Sequence, residues 1–388
     1  MTLQQNTDRI QTTHIGSLPR PHDLLDLLKA KLAGQPVDQA TLDKTIAAAV
    51  TNCVRKQVEC GLDIVTDGEF SKPGFFTYIQ ERLEGYEARP GQKLLLFQKE
   101  TAAFPEYYAQ YFKEAMMGGT IVPIVPVVCT SPIKYRGERA VQRDIDNVKA
   151  AAKAAGIDND HVFLPATAPS GVGINEYYKS DEEYLIALAD AMNEEYRAIV
   201  DAGFLLQIDD PRLITHYNRT PGLSLEDNRK FVALHVEMVN HSLRGIPEDR
   251  VRYHTCYSVN VGPRVHDLEL RHYVDLMLKI RAQAYSIEGA NPRHEHEWKI
   301  WEEVKLPDGK ILIPGVVSHC VYQVEHPELV AQRIERFAQV AGRENVIASN
   351  DCGFATSAAG DEVHPDVAWA KMQALVEGAE IASRRLWH

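Results

Sequence analysis

Short apolar runs rich in Val and Ile alternate along this chain with longer stretches whose apolar residues recur at helical spacing. That rhythm predicts a parallel sheet joined by helical crossovers. Candidate strands end at Ser17, Asp67, Pro169, Asp209, Cys256, Glu288, Ser318 and Asn350, each followed by a loop and a helical pattern. The helices are clearest at 182–202, which follows Ser180 and Asp181 as caps and stops at Gly203, and at 327–341, which stops at Gly342. Eight such units in 388 residues predict an α/β fold of the closed (β/α)8 type, a TIM barrel, in preference to an open doubly wound sheet with its nucleotide-binding glycine loop. One interval breaks the rhythm. Residues 85–156 form a long segment with the Pro-interrupted run Ile121-Val-Pro-Ile-Val-Pro-Val-Val128, whose alternation predicts a hairpin inserted after strand 2. No internal repeat or Pro/Gly/Ser linker divides the chain, so 1–388 is expected to be a single barrel domain with insertion 85–156.

Composition narrows the partners. A hydrophobic content of 45% with 25% charged residues is that of an ordinary globular chain. The formal net charge of −12, with no basic stretch interleaved with aromatics, works against a polyanion, so nucleic acid is not an expected partner. Apolar runs such as 120–129 are too short and broken to cross a bilayer of roughly 30 Å, and no membrane contact is expected. Met1 to Arg9 is polar and lacks the apolar stretch of a secretory signal, which predicts a cytoplasmic protein. The cysteines, Cys53, Cys60, Cys129, Cys256, Cys320 and Cys352, are scattered as reduced thiols or metal ligands would be, not as a disulfide framework. Cys53 and Cys60, seven apart on a predicted helix, read as core.

Residue types that carry chemistry gather just beyond the predicted strands, the end at which barrel active sites lie. Those ends supply Ser17, Asp67 with Glu69, Asp209 with Asp210, His254 with Cys256, Glu288, and Asp351 with Cys352. Side chains alternate along a strand, so His254 and Cys256 share a face. Two thiolates, an imidazole and a carboxylate match the preferences of zinc, and the thiolates exclude a magnesium or calcium site. Three anionic ligands leave the site net negative, poor for activating water but suited to a nucleophilic thiolate, which favours alkyl transfer over hydrolysis. The same residues also fit a bland reading, a core cysteine beside a hydrogen-bonded histidine. Around them, the Arg293-His-Glu-His-Glu297 cluster reads as a solvated loop or as support for Glu288. Cys320 beside His319 reads as an inert thiol, since adjacent residues rarely face each other. The aromatic pairs Phe75-Phe76, Tyr107-Tyr108 and Tyr177-Tyr178 pack by default, with a lid or a homo-oligomer contact left open.

The stretches Thr13-His-Ile-Gly-Ser-Leu-Pro-Arg20, Asp67-Gly-Glu-Phe70, Gln207-Ile-Asp-Asp-Pro211, His254-Thr-Cys256, Tyr285-Ser-Ile-Glu288 and Asn350-Asp-Cys-Gly353 resemble, in this order, the catalytic barrel of cobalamin-independent methionine synthases. Glu288 to Trp298 and the segment from Pro314 to Gly353 look more like the short single-barrel branch, which includes epoxyalkane:coenzyme M transferase. The resemblance implies a zinc-dependent S-methyltransferase acting on homocysteine or a related thiol. It assigns zinc to His254, Cys256, Glu288 and Cys352, and the amino acid part of homocysteine to Ile15, Gly16, Ser17, Glu69 and Asp209. His319 lies near the position of a proton-handling histidine, so His319 and Asp209 are the expected catalytic residues. Asp210 stands where the long enzymes have Glu, shortening an expected pocket carboxylate, and Tyr257-Ser258-Val259 departs from both branches. The second barrel that helps the long enzymes hold polyglutamylated folate has no counterpart here. The alkyl donor is thus open among a methyl-folate, a methyl-corrinoid protein and an epoxide. Alternatives are an epoxide:thiol transferase and, in another class, a zinc hydrolase on the same barrel.

Overall fold

In the computed structural model the described residues are 3–74, 77–90, 97–114, 126–170, 172–257, 262–355 and 363–388. The strands are β1 (Leu83–Ala88), β2 (Val127–Tyr135), β3 (Phe163–Thr167), β4 (Ile174–Asn175), β5 (Leu205–Asp209), β6 (Val251–His254), β7 (Ala284–Ile287), β8 (Ile311–Val317) and β9 (Ser349–Asn350). Six of them form a curled parallel sheet in the order β3-β5-β6-β7-β8-β9. The order follows the chain because each crossover is helical, as between β3 and β5, where Asp181–Asp201 runs under an N-cap in which Ser180 accepts from the Glu183 amide.

The eight-strand expectation is met in part. The first two expected strands do not form ladders, and each contributes a single parallel bridge: Thr12 to Ala348 beside β9, and Val65 to Val162 beside β3. Thr12 also accepts from the amides of Asp63 and Ile64. These segments are committed to side-chain ties instead, such as Asp63 to the Thr12 amide at 2.7 Å and Gln57 to Thr66 at 2.7 and 3.0 Å. The later strand ends fall within two residues of the expected positions.

Strand alternation divides the core. Leu3, Ile64, Phe163, Leu205, Ala284, Ile311, Ile313 and Ile347 cluster on the inner face of the sheet. Their neighbours Leu164, Leu206, Tyr285, Leu312 and Ala348 pack with the surrounding helices, as period two requires. Above the inner apolar layer, Arg252 is fully buried, donating to Thr13 Oγ1 and the His14 carbonyl, with its guanidinium 4.1 Å from the Phe163 ring centroid.

Within 85–156, β1 and β2 pair antiparallel with a register shift between Glu84 and Tyr86, and β2 continues to β4. Residues 121–125 of the expected hairpin, and Phe75 and Phe76, lie outside the described residues. Helix Glu138–Ala155 packs on helices Gln39–Cys60 and Asp181–Asp201. Cys53 is core, as expected, while Cys60 at the helix end is half-buried. No described helix is long and apolar enough to cross a membrane.

Candidate metal centre

Register brings the site together. Thr167, Asp209, His254, Ser286 and Ile313 are partnered in one line across β3, β5, β6, β7 and β8. Asp209 and His254 therefore stand side by side at the carboxyl end of the sheet, and Cys256 and Glu288 continue the inward positions two residues further on. Cys352 comes from the turn after β9, where Asn350 Nδ2 donates to its carbonyl at 2.6 Å.

His254, Cys256 and Cys352 are buried with their ligand atoms within 4.8 Å of one another. The two sulfurs lie 3.3 Å apart and are not bonded. Their contact, with burial opposing and His254 assisting, holds the Cys256 thiol well below its ordinary pKa, and the same contact, with burial adding to it, holds the Cys352 thiol well above. His254 Nδ1 lies 3.1 Å from Ser286 Oγ, and its Nε2 is buried with no hydrogen-bond partner among the described residues. An unpaired imidazole nitrogen beside two inward thiols is a donor set for a soft or borderline divalent metal, so the residues fit one.

Glu288, expected as a fourth ligand, is not in this group. Its Oε1 accepts from the Tyr257 amide at 2.7 Å, and its Oε2 accepts from Asn291 at 2.7 Å and faces Arg293 at 3.4 Å. Burial raises its pKa, but Arg293, His319 and His294 outweigh that and hold it below the usual carboxylate range. Asn291 also donates to Asp351, whose other oxygen takes the amides of Gly289 and Ala290.

Beside the cluster lie the residues expected to hold an amino acid. Ile15 donates its amide to Asn350 Oδ1 at 3.0 Å and its carbonyl accepts from Gln207 at 2.5 Å, while the Ser17 carbonyl takes the Phe354 amide. Gly16 sits at φ 146°, where a Cβ would lie 2.6 Å from Glu69 Oε1, so only glycine lets that carboxylate approach the backbone. Glu69 is itself left-handed at φ 59°, in a turn closed by Asp67 Oδ1 on its amide, the kind of strain that marks functional turns. Burial raises the pKa of Glu69, with Lys72 opposing. Burial, opposed by His254 and reinforced by Glu69, pushes Asp209 up to about 7. For these two carboxyls, burial outweighs the positive charge that Lys72 and His254 supply.

Of three neighbours, the first two differ from expectation. Asp210 does not line this pocket: its carboxylate, facing away from Asp209, takes Tyr253, Ser170, His235 and the Leu213 amide. His319 and Cys320 do face each other, with Nε2 3.1 Å from Sγ, and Cys320 is half-buried. Burial lowers the pKa of His319, but Cys320, Glu288 and Asp351 raise it to about 10. The 293–297 cluster meets the second of its two readings, support for Glu288: Arg293 faces Glu288 Oε2 at 3.4 Å, and His294 is buried between Asp267 and Glu297, stacked on Tyr257 at 3.6 Å. Ser258 and Val259 lie outside the described residues.

The family model described as "Cobalamin-independent synthase, Catalytic domain" matches residues 10–116 and 128–376. The chain belongs to this family. It is 26% identical over 349 residues to a methionine synthase of Sulfolobus acidocaldarius, covering 89% of this chain and 86% of that one. It is 25% identical over 384 residues to a methionine synthase of Saccharolobus solfataricus, covering 97% and 96%. A solved B12-independent methionine synthase from Shewanella, in complex with selenomethionine, shares the fold with a TM-score of 0.72 at 18% identity, over 97% of this chain and 99% of that one.

Several residues that shape the site escaped sequence reasoning. Ser286 was within reach, because it alternates with Glu288 and so must face inward beside His254. Gln207, Asn291 and Lys72 act through contacts between distant segments, which no local pattern announces.

Proposed function

We propose that this chain is a zinc-dependent S-methyltransferase that moves a methyl group from a small donor to the thiol of homocysteine or a close analogue. The observation that carries the reading is the inward cluster of His254, Cys256 and Cys352, with its unpaired Nε2, in a family whose relatives are named methionine synthases. We also read the sheet as a closed (β/α)8 ring, supported by the bridges at Thr12 and Val65, and the protein as cytoplasmic, supported by cysteines scattered as reduced thiols would be.

Zinc bound by these three residues would lower the pKa of an incoming thiol and keep it nucleophilic at neutral pH. Glu288 would complete the ligand set by leaving the Tyr257 amide that it now accepts from. Ser286 orients the imidazole of His254 so that Nε2 points inward. Glu69 and Asp209, buried carboxyls that an added cation would favour in their charged form, receive the substrate ammonium, while the 15–17 backbone positions the amino acid. In the transfer, the sulfur–carbon bond forms as the donor's bond to methyl breaks. His319 gives its proton to the leaving group.

The test incubates zinc-loaded protein with homocysteine and, in turn, a methyl-folate, a methyl-corrinoid protein and an epoxide. Methionine formed from a methyl donor, and abolished by Cys352→Ala, supports the reading. Thiol consumed only with the epoxide, or undiminished activity of C352A, overturns it.

A further inference from the structure

Helix Arg212–Arg219 begins directly after Asp209, Asp210 and Pro211, at the carboxyl end of the sheet where the metal cluster lies. Arg212, His216 and Arg219 are spaced four and three residues apart, which aligns them on one helical face. All three are half-buried. Neither arginine has a hydrogen bond or an ion pair among the described residues, and His216, stacked on Phe231 at 3.7 Å, has its Nδ1 buried without a hydrogen-bond partner there. Burial, with Arg212 and Arg264 adding to it, lowers the pKa of Arg219 to about 9. Burial and the neighbouring Arg212 lower that of His216 to about 4.

The acids nearby do not answer this charge. Asp210 lies in the field of Arg212, but its oxygens serve His235, Tyr253 and Ser170. Glu100 reaches the helix through Asn218 and otherwise takes the amides of Val265 and His266. Arg264 is paired with Asp267. A half-buried guanidinium keeps its charge at an electrostatic cost that an anion would relieve, and two of them offer forked donors suited to a carboxylate or phosphate.

We propose that Arg212, His216 and Arg219 form an anion-binding site on the helix that follows β5 at the carboxyl end of the sheet, which receives a carboxylate or phosphate group carried by the alkyl donor. The donor assignment rests on the methyltransferase reading, whereas the anion site does not. Helix Gln98–Ala103, tied to the same helix through Asn218 and by Lys99 over the Tyr217 ring at 3.1 Å, borders the site from the insertion side.

Titration calorimetry of the zinc-loaded full chain, with glutarate and separately with inorganic phosphate, tests this. One saturable site is expected, weakened roughly ten-fold or more by Arg212→Gln or Arg219→Gln. Preference for glutarate assigns a carboxylate source, and preference for phosphate a phosphate source. On the unmutated chain, phenylglyoxal labelling of Arg212 and Arg219, mapped by peptide mass spectrometry, should slow when the preferred anion is present. No saturable binding of either anion, or labelling unchanged by both, overturns the site. Intact anion binding without any methyl transfer would overturn only the methyltransferase reading.

Discussion

His254 illustrates how one side chain is made ready for a metal. A histidine with both ring nitrogens paired would have to break a contact to coordinate, whereas this one has Nδ1 against Ser286 and Nε2 buried and unpaired. Ser286→Ala should therefore leave the fold intact but weaken metal affinity by about 10–100-fold, measured by competition with a chelator. Unchanged affinity would show that the hydroxyl does not orient the ring. Glycine acts at the same scale. A Cβ on Gly315 would fall 2.0 Å from Asp351 Oδ1 and 2.7 Å from its Cα, so Gly315→Ala should lower stability by ~1–3 kcal/mol, read from denaturant unfolding. An effect within error would mean that the turn after β9 yields easily.

Among the elements, the ribbon of β1 and β2 is anchored by charge. Arg82 is buried and pairs with Asp144 of helix Glu138–Ala155 and with Glu195 of helix Asp181–Asp201, which also takes the hydroxyls of Tyr78 and Tyr135. Burial raises the pKa of Asp144, but Arg82 and Arg143 outweigh it and the net shift is downward. An acid depressed on folding contributes stability above its unfolded pKa, near 4, and loses that contribution as pH falls through the folded value. Asp144→Asn should cost ~3–5 kcal/mol at pH 7, because it leaves a buried arginine short of charge. The difference from the unmutated chain should shrink below about pH 4. Melting curves at pH 7 and 3.5 check both statements, and a gap that stays constant would contradict them. The parallel elements were legible because apolar alternation decides which face each strand buries. The first two expected strands were less so: Thr12 and Val65 make one bridge each, but Asp63 takes the Thr12 amide and Gln57 takes the backbone of Thr66, next to Val65. Asp210 misled for a related reason. Adjacent acids at a strand end point to opposite faces, and only Asp209 can join His254.

For the whole molecule, a family shown by sequence and a cluster shown by geometry converge on one end of the sheet. The six motifs located that end because each falls at an expected strand end. Their spacing could not reveal that Glu288 would rest on the Tyr257 amide and Asn291, outside the His254, Cys256 and Cys352 group. Metal loading should therefore be read as a local change at Glu288, visible as weaker protection of the Tyr257 amide in hydrogen exchange of the zinc-loaded protein relative to the metal-free one. Equal protection in both forms would leave Glu288 outside the ligand set. The central claim, zinc on the two cysteines and the histidine with room for a substrate thiol, is tested most directly by zinc K-edge X-ray absorption on purified protein with and without homocysteine. The account expects about one zinc per chain with two sulfur neighbours, rising to three when homocysteine is added. Absence of zinc, or a sulfur count unchanged by homocysteine, would contradict it.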